Sequence, residues 1–409
     1  MEFNEFCREH PPSVKRRMKR LRQTWWLRAA ALMASVLATS GLATGATQYV
    51  VTNDDAAFPY LTSVSFYTAA PDGLLTFTQQ VQTGGTGVGG GFFGTNRISV
   101  LDSGNQQCVF ASEAYTGDVV GIAVSTLTVS GSATGSPTDS GAANGIGLAM
   151  NSQYLYASFT SSNTIGTFQV QPGCSLTFVA DVSVSGLAGG MINGIAIHGN
   201  IMIATFTDGS IESFDISAGT PVSNGDEQYS SATLSSTDAT YPNSIDITSD
   251  GHYAIFGDTS TLGVVEVSDI SSGKLTPTLV YTSNASINSS NIMLSPDETL
   301  LYVINTQGAS VSAKFFDKKT GKLSGGCTSA RVKGESANWS YLAGLGLISD
   351  TGNGGGVYVA EFGSPSAIAM VQLNSSGGKC WLKEVPQSPF ADPYSSGLLS
   401  IGTFPPRSF

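Results

Sequence analysis

Apolar and polar residues alternate with a period of two along many short runs of the chain, among them Ser63-Val64-Ser65-Phe66-Tyr67, Thr164-Ile165-Gly166-Thr167-Phe168, Ser210-Ile211-Glu212-Ser213-Phe214 and Ser310-Val311-Ser312-Ala313-Lys314-Phe315. Successive side chains of an extended chain point to opposite faces, so these runs predict strands with a face in a sheet-to-sheet core. Stretches of helical period are almost absent. The runs recur in a longer unit: compare Asn144-Gly145-Ile146-Gly147-Leu148, Asn193-Gly194-Ile195-Ala196-Ile197 and Asn243-Ser244-Ile245-Asp246-Ile247. The anchor position falls at Ile98, Ile146, Ile195, Ile245, Ile292, Leu345 and Leu399, with gaps of 47 to 54 residues. Each of the first six anchors is followed by an apolar, β-branched or aromatic run such as Tyr154 to Ser158; in several units an alternating run comes next, and a fourth run follows a Gly turn, as in Gly273-Lys274-Leu275-Thr276 and Gly321-Lys322-Leu323. Four short strands in each of seven units predict an all-β, seven-bladed β-propeller. The last anchor has no second strand after it, while Tyr49-Val50-Val51-Thr52-Asn53 stands alone near the start. Pairing of these N- and C-terminal strands would close the ring.

The first 46 residues have a different character. A basic stretch from Lys15 to Arg28 precedes an apolar run from Ala29 to Leu42, and Thr44-Gly45-Ala46 supplies small residues for cleavage. This order of segments predicts a signal peptide over 1–46 and a mature propeller over 47–409, exported from the cytoplasm to the medium, the periplasm or the cell envelope. Export permits disulfides among Cys108, Cys174, Cys327 and Cys380, for which three pairings are open.

Only 12% of residues are charged, so solubility rests on Ser, Thr, Asn and Gly. Eight of the 19 Lys and Arg lie before residue 29, leaving eleven against 27 acids, a balance of −16 for the remainder. That balance argues against nucleic acid and anionic membrane as partners. A monomer is expected. His10, His198 and His252 are the only histidines, and no Cys/His spacing suits a metal, so none is assigned. Gly85-Thr86-Gly87-Val88-Gly89-Gly90 matches GxGxxG but leads into strand rather than helix, and reads as a flexible loop between blades. No GxSxG elbow is present.

The string Ser295-Pro296-Asp297-Glu298-Thr299-Leu300-Leu301-Tyr302-Val303-Ile304-Asn305, followed by Phe316-Asp317-Lys318-Lys319-Thr320-Gly321-Lys322-Leu323, resembles the repeat of the lactonase-like seven-bladed propellers, which include 6-phosphogluconolactonase and the YVTN-repeat surface proteins. Tyr49-Val50-Val51-Thr52-Asn53 resembles the YVTN string with one extra valine. The resemblance implies a toroid with ligand chemistry at one channel mouth and, in some members, lactone hydrolysis that relies on basic and imidazole groups. Here Arg97 is the only Arg or Lys between Ala29 and Gly273.

Residues just before each anchor sit at a channel mouth, which places Asn96, Asn144, Asn193, Asn243 and Asn291 there as amides able to donate and accept hydrogen bonds to a ligand, or to cap their own turns. Second strands return to the same mouth and end near Asp54, Glu113, Asp258 and Glu361. These carboxylates are either solvated loop acids or a set that could hold a polyol or a hydrated divalent cation. Arg97 and Glu113 share a blade and form either a base-plus-electrophile pair for opening an ester ring or an ion pair. The reading reached is a platform for a polar small molecule, glycan or peptide at the mouth, without cofactor, with a lactone hydrolase as the alternative. His198 and His252 are expected at the surface on the opposite face.

Overall fold

The computed structural model describes residues 48–56, 59–87, 96–134, 146–230, 242–258, 264–282, 291–305, 309–332, 341–348, 356–362, 366–376, 379–392, 400–404 and 406. The chain divides into the units Met1–Thr47 and Gln48–Phe409, the second of which is the propeller. Seven four-stranded antiparallel blades succeed one another. Their inner strands are Ser400–Phe404 in blade 1, then Ile98–Asp102, Ile146–Met150, Ile192–His198, Pro242–Ile247, Asn291–Leu294 and Tyr341–Ile348 in blades 2 to 7.

The ring closes as the unpaired terminal runs predict. Tyr49–Asn53 lies between Ser63–Ala69 and Ser400–Phe404, with Asn53 opposite Ser400 and Tyr49 opposite Phe404. The seventh anchor needs a shift. Leu399 lies outside the described residues, and the residue that faces the channel beside the other anchors is Ile401.

Period-two alternation becomes inter-blade packing. Val51 and Phe66 of blade 1 meet Val109 and Val120 of blade 2, whereas Val50 and Tyr67 turn the other way to meet Tyr358 and Met370 of blade 7. Five further clusters fill the remaining boundaries, so every blade is buried on both faces. No blade could bury these faces alone, which is why stability belongs to the closed ring. Tyrosines on second strands add a polar tether to the next blade: Tyr156 Oη donates to Gly219 O at 2.7 Å and Tyr358 Oη to Gly73 O at 2.5 Å. Gly73 sits at φ +84°, a backbone conformation that favours glycine.

Two disulfides staple neighbouring blades. Cys108 on the second strand of blade 2 joins Cys174, in the short 3-10 turn Pro172–Cys174 of blade 3, and Cys327 joins Cys380 between the outermost strands of blades 6 and 7. These outermost strands, Lys322–Arg331 and Lys379–Glu384, also meet in parallel at Thr328 and Trp381.

Candidate functional site

The inner strands surround a channel cavity of about 690 Å³. Ile98, Leu148, Ile195, Ile245, Ile292 and Ile401 form an aliphatic belt around it, with Asn96, Ser244 and Asn291 at the mouth where the inner strands begin and Asp102, Asn151 and His198 toward the other. No Lys or Arg lines it among the described residues.

Each inner strand has one edge with no fifth strand to pair, so its amides need other partners. Side chains of adjacent blades supply several. Ile292 N donates to Ser244 Oγ at 2.8 Å, Leu294 N to Asp246 Oδ2 at 2.7 Å and Arg97 N to Ser400 Oγ at 2.9 Å, while Leu148 N donates to the Asn96 carbonyl at 2.8 Å. Sequence reasoning passed over Ser244, Asp246 and Ser400. The signal available was a polar residue in an inner strand, where only apolar residues are needed for packing.

The expected asparagine set divides. Asn96 is exposed at the mouth with φ +57°, and Asn291 is half-buried in the channel wall. Asn193 is fully buried, and its amide donates to Pro242 O of the next blade at 3.2 Å. Asn144 and the side chains of Asn243 and Asp258 lie outside the described residues.

The carboxylates differ most from the solvated loop acids expected. Asp54 is wholly buried; Ser63 and Ser65 donate to its Oδ2 and Thr52 to its Oδ1. Thr52 Oγ1 is also 3.2 Å from Oδ2 of Asp392, a buried residue of blade 7. Burial, followed by repulsion from Asp392, pushes Asp54 up to about 7. This carboxyl pair spans the boundary where the ring closes, 340 residues apart in sequence between Thr52 and Asp392. Glu113 is also buried; Gly85 N donates to its Oε1 at 2.9 Å, and burial pushes its carboxyl above the usual range. Glu361 is buried on the second strand of blade 7.

Arg97 forms its ion pair across the blade boundary: Nη1 lies 2.7 Å from Oδ2 of Asp55, both side chains being fully buried. The ion-pair partner seen for Arg97 is thus Asp55, a residue the sequence reading did not single out. The glycine motif explains how these groups are enclosed. A Cβ on Gly85 would fall 2.0 Å from Glu113 Oε2, and one on Gly87 would fall 2.4 Å from Asp55 Oδ1. The described part of the supposed flexible loop is thus a tight cover over two carboxylates, tied by Thr62 N to Gly85 O and Gly87 N to Ala56 O.

His198 lines the channel toward its far end, half-buried with its ring against Gly251, rather than standing free on the surface. His252 stacks on Tyr253 at 4.2 Å and pairs with Asp269 at 3.2 Å. Among the described residues no three His, Cys, Asp or Glu side chains are grouped to hold a metal ion.

No protein-family model and no curated protein matches this sequence. Solved structures do. A presumed 6-phosphogluconolactonase from Bacteroides fragilis superposes with a TM-score of 0.63 at 14% identity over 88% of this chain and 99% of its own. A protein of unknown function from Desulfotomaculum acetoxidans gives 0.60 at 14% identity over 86% and 98%. The periplasmic gluconolactonase PpgL of Pseudomonas aeruginosa gives 0.53 at 14% identity over 69% and 82%. At this identity the likeness is one of fold alone, that of a β-propeller.

Proposed function

We propose that the protein is an exported binding platform that takes an uncharged polar ligand, a sugar or a peptide, at the channel mouth formed by Asn96, Ser244 and Asn291. The observation that carries this reading is the channel itself: about 690 Å³ with amides and a hydroxyl at its entrance and no Lys or Arg in the wall among the described residues. A concave site with an apolar floor and a few converging polar groups is the usual form of a small-molecule site. Export is supported by two disulfides between blades, a feature of oxidising compartments. Asn96→Ala combined with Asn291→Ala is expected to weaken binding of the best ligand from a glycan and peptide array at least about tenfold, the scale of one or two lost hydrogen bonds. Unchanged affinity in the folded double variant would overturn this reading.

Lactone hydrolysis is the second reading, favoured by the fold shared with structures named as lactonases. A ring-opening assay against sugar and aliphatic lactones, with and without chelator, separates the two. Turnover abolished by Glu113→Gln in a protein that still folds would make the chain an enzyme; no turnover above the spontaneous rate leaves the binding platform.

A further inference from the structure

The balance of −16 after residue 28 hides an uneven distribution. Eight of the eleven Lys and Arg in that stretch lie between Lys314 and Lys383, in blades 6 and 7. Their outermost strands are also where the two blades are joined, by the Cys327–Cys380 bridge and the parallel pairing of Thr328 with Trp381. The strand Lys379–Glu384 sorts its side chains cleanly: Lys379, Trp381 and Lys383 face solvent, while Leu382 and Glu384 are buried. The partners of the three solvent-facing residues on the next strand are Ser376, Asn374 and Gln372, none charged. Neither Lys379 nor Lys383 is in an ion pair among the described residues, and Trp381 is 37% exposed. The parallel register sets the exposed Arg331 at the same end as Lys383.

We infer that this joined edge of blades 6 and 7 is a docking stripe for a linear acidic polysaccharide. Lys379 and Lys383, with Cα atoms about 13 Å apart from four residues at the extended rise, flank the Trp381 indole on one face of the strand. An indole offers a broad apolar surface with a polar N–H, suited to the face of a sugar ring, and the lysines suit carboxylates along the same polymer. The fused sheet and the disulfide hold the three side chains in line, so little order has to be imposed on binding. A bilayer fits less well, because the indole is nearly two-thirds covered and stands on a strand rather than at a protruding loop tip. The stripe lies on the outer rim, so a docked polymer leaves the channel mouth open, and the inference stands apart from what the channel binds.

The test uses the purified full chain, in which the basic N-terminal segment is common to all variants, with immobilised polygalacturonate as probe, neutral dextran as control and phosphatidylglycerol vesicles as the lipid arm. Binding to polygalacturonate and not to dextran is expected, lost as salt rises. Lys379→Gln with Lys383→Gln is expected to weaken it at least about tenfold, Trp381→Ala by a similar factor, and Lys379→Arg with Lys383→Arg to retain it. No binding by the parent, equal binding by the glutamine pair, full affinity in a folded Trp381→Ala, or binding to vesicles without polygalacturonate would each overturn the inference. The lysines are exposed, so the glutamine and arginine pairs decide the matter even where Trp381→Ala does not fold.

Discussion

Arg97 and Asp55 show what a single buried ion pair demands. Both are out of solvent, so removing either partner strands the other charge in a medium of low polarity. Arg97→Ala is expected to cost about 3–5 kcal/mol in urea unfolding. Arg97→Met with Asp55→Leu should cost clearly less than the two single losses added together, which a double-mutant cycle would read directly. Asp54 carries a different signature. Its folded pKa of about 7 lies above the carboxylate's ordinary 3.8, so the folded state binds more protons than the unfolded state between those values. Its contribution is therefore fully present in acid and is lost as pH rises from about 4 through 7. Asp54→Asn should remove this part of the pH dependence: the fall in melting temperature from pH 5 to pH 8 should be smaller in the variant than in the parent. An equal fall in both would show that Asp54 holds no proton at pH 5.

At the level of elements, the second and third strands carry most of the packing, while inner, second and outermost strands all supply connections between blades. Loops of 66 and 53 residues closed by the two disulfides restrict the unfolded chain enough for about 4 kcal/mol each in the chain-entropy description. Cys327→Ser with Cys380→Ser should lower stability by somewhat less than that, since the parallel contact at Thr328 and Trp381 remains to hold the blades together. The closing strand is tightly fitted as well. A Cβ on Gly402 would fall 2.6 Å from Ile98 Cγ2, so Gly402→Val should force blade 1 away from blade 2 and cost about 1–3 kcal/mol, measured by thermal unfolding.

For the whole molecule the consequence of seven mutually buried interfaces is that the ring stands or falls together. A chain ending at residue 399 lacks the strand that pairs with Tyr49–Asn53, and it should lose the single cooperative transition and become sensitive to proteolysis throughout, not just at blade 1. Charge at this scale is uneven as well: blades 6 and 7 hold as many Lys and Arg as acids, so the acid excess lies in the other blades, a distribution that the net value alone conceals.

The repeat of about 50 residues, the alternation within it and the lone strand at each end were enough to set the class of fold, the number of blades and the way the ring closes. These are local patterns, written in neighbouring residues, because a strand must present alternate side chains to the two blades beside it. Which residues meet was decided only by the closed ring. The cysteine pairing, the meeting of Thr52 with Asp392, the Arg97 pair with Asp55 and the retreat of Asn193 into a blade boundary all join segments whose separation has no pattern in sequence. Burial of Asp54 and Glu113 shows the physical reason. A carboxylate at the end of a strand has the same local sequence whether it is solvated or enclosed, and the difference lies in Gly85, Ser63 and Asp392, which tertiary structure alone brings to its side.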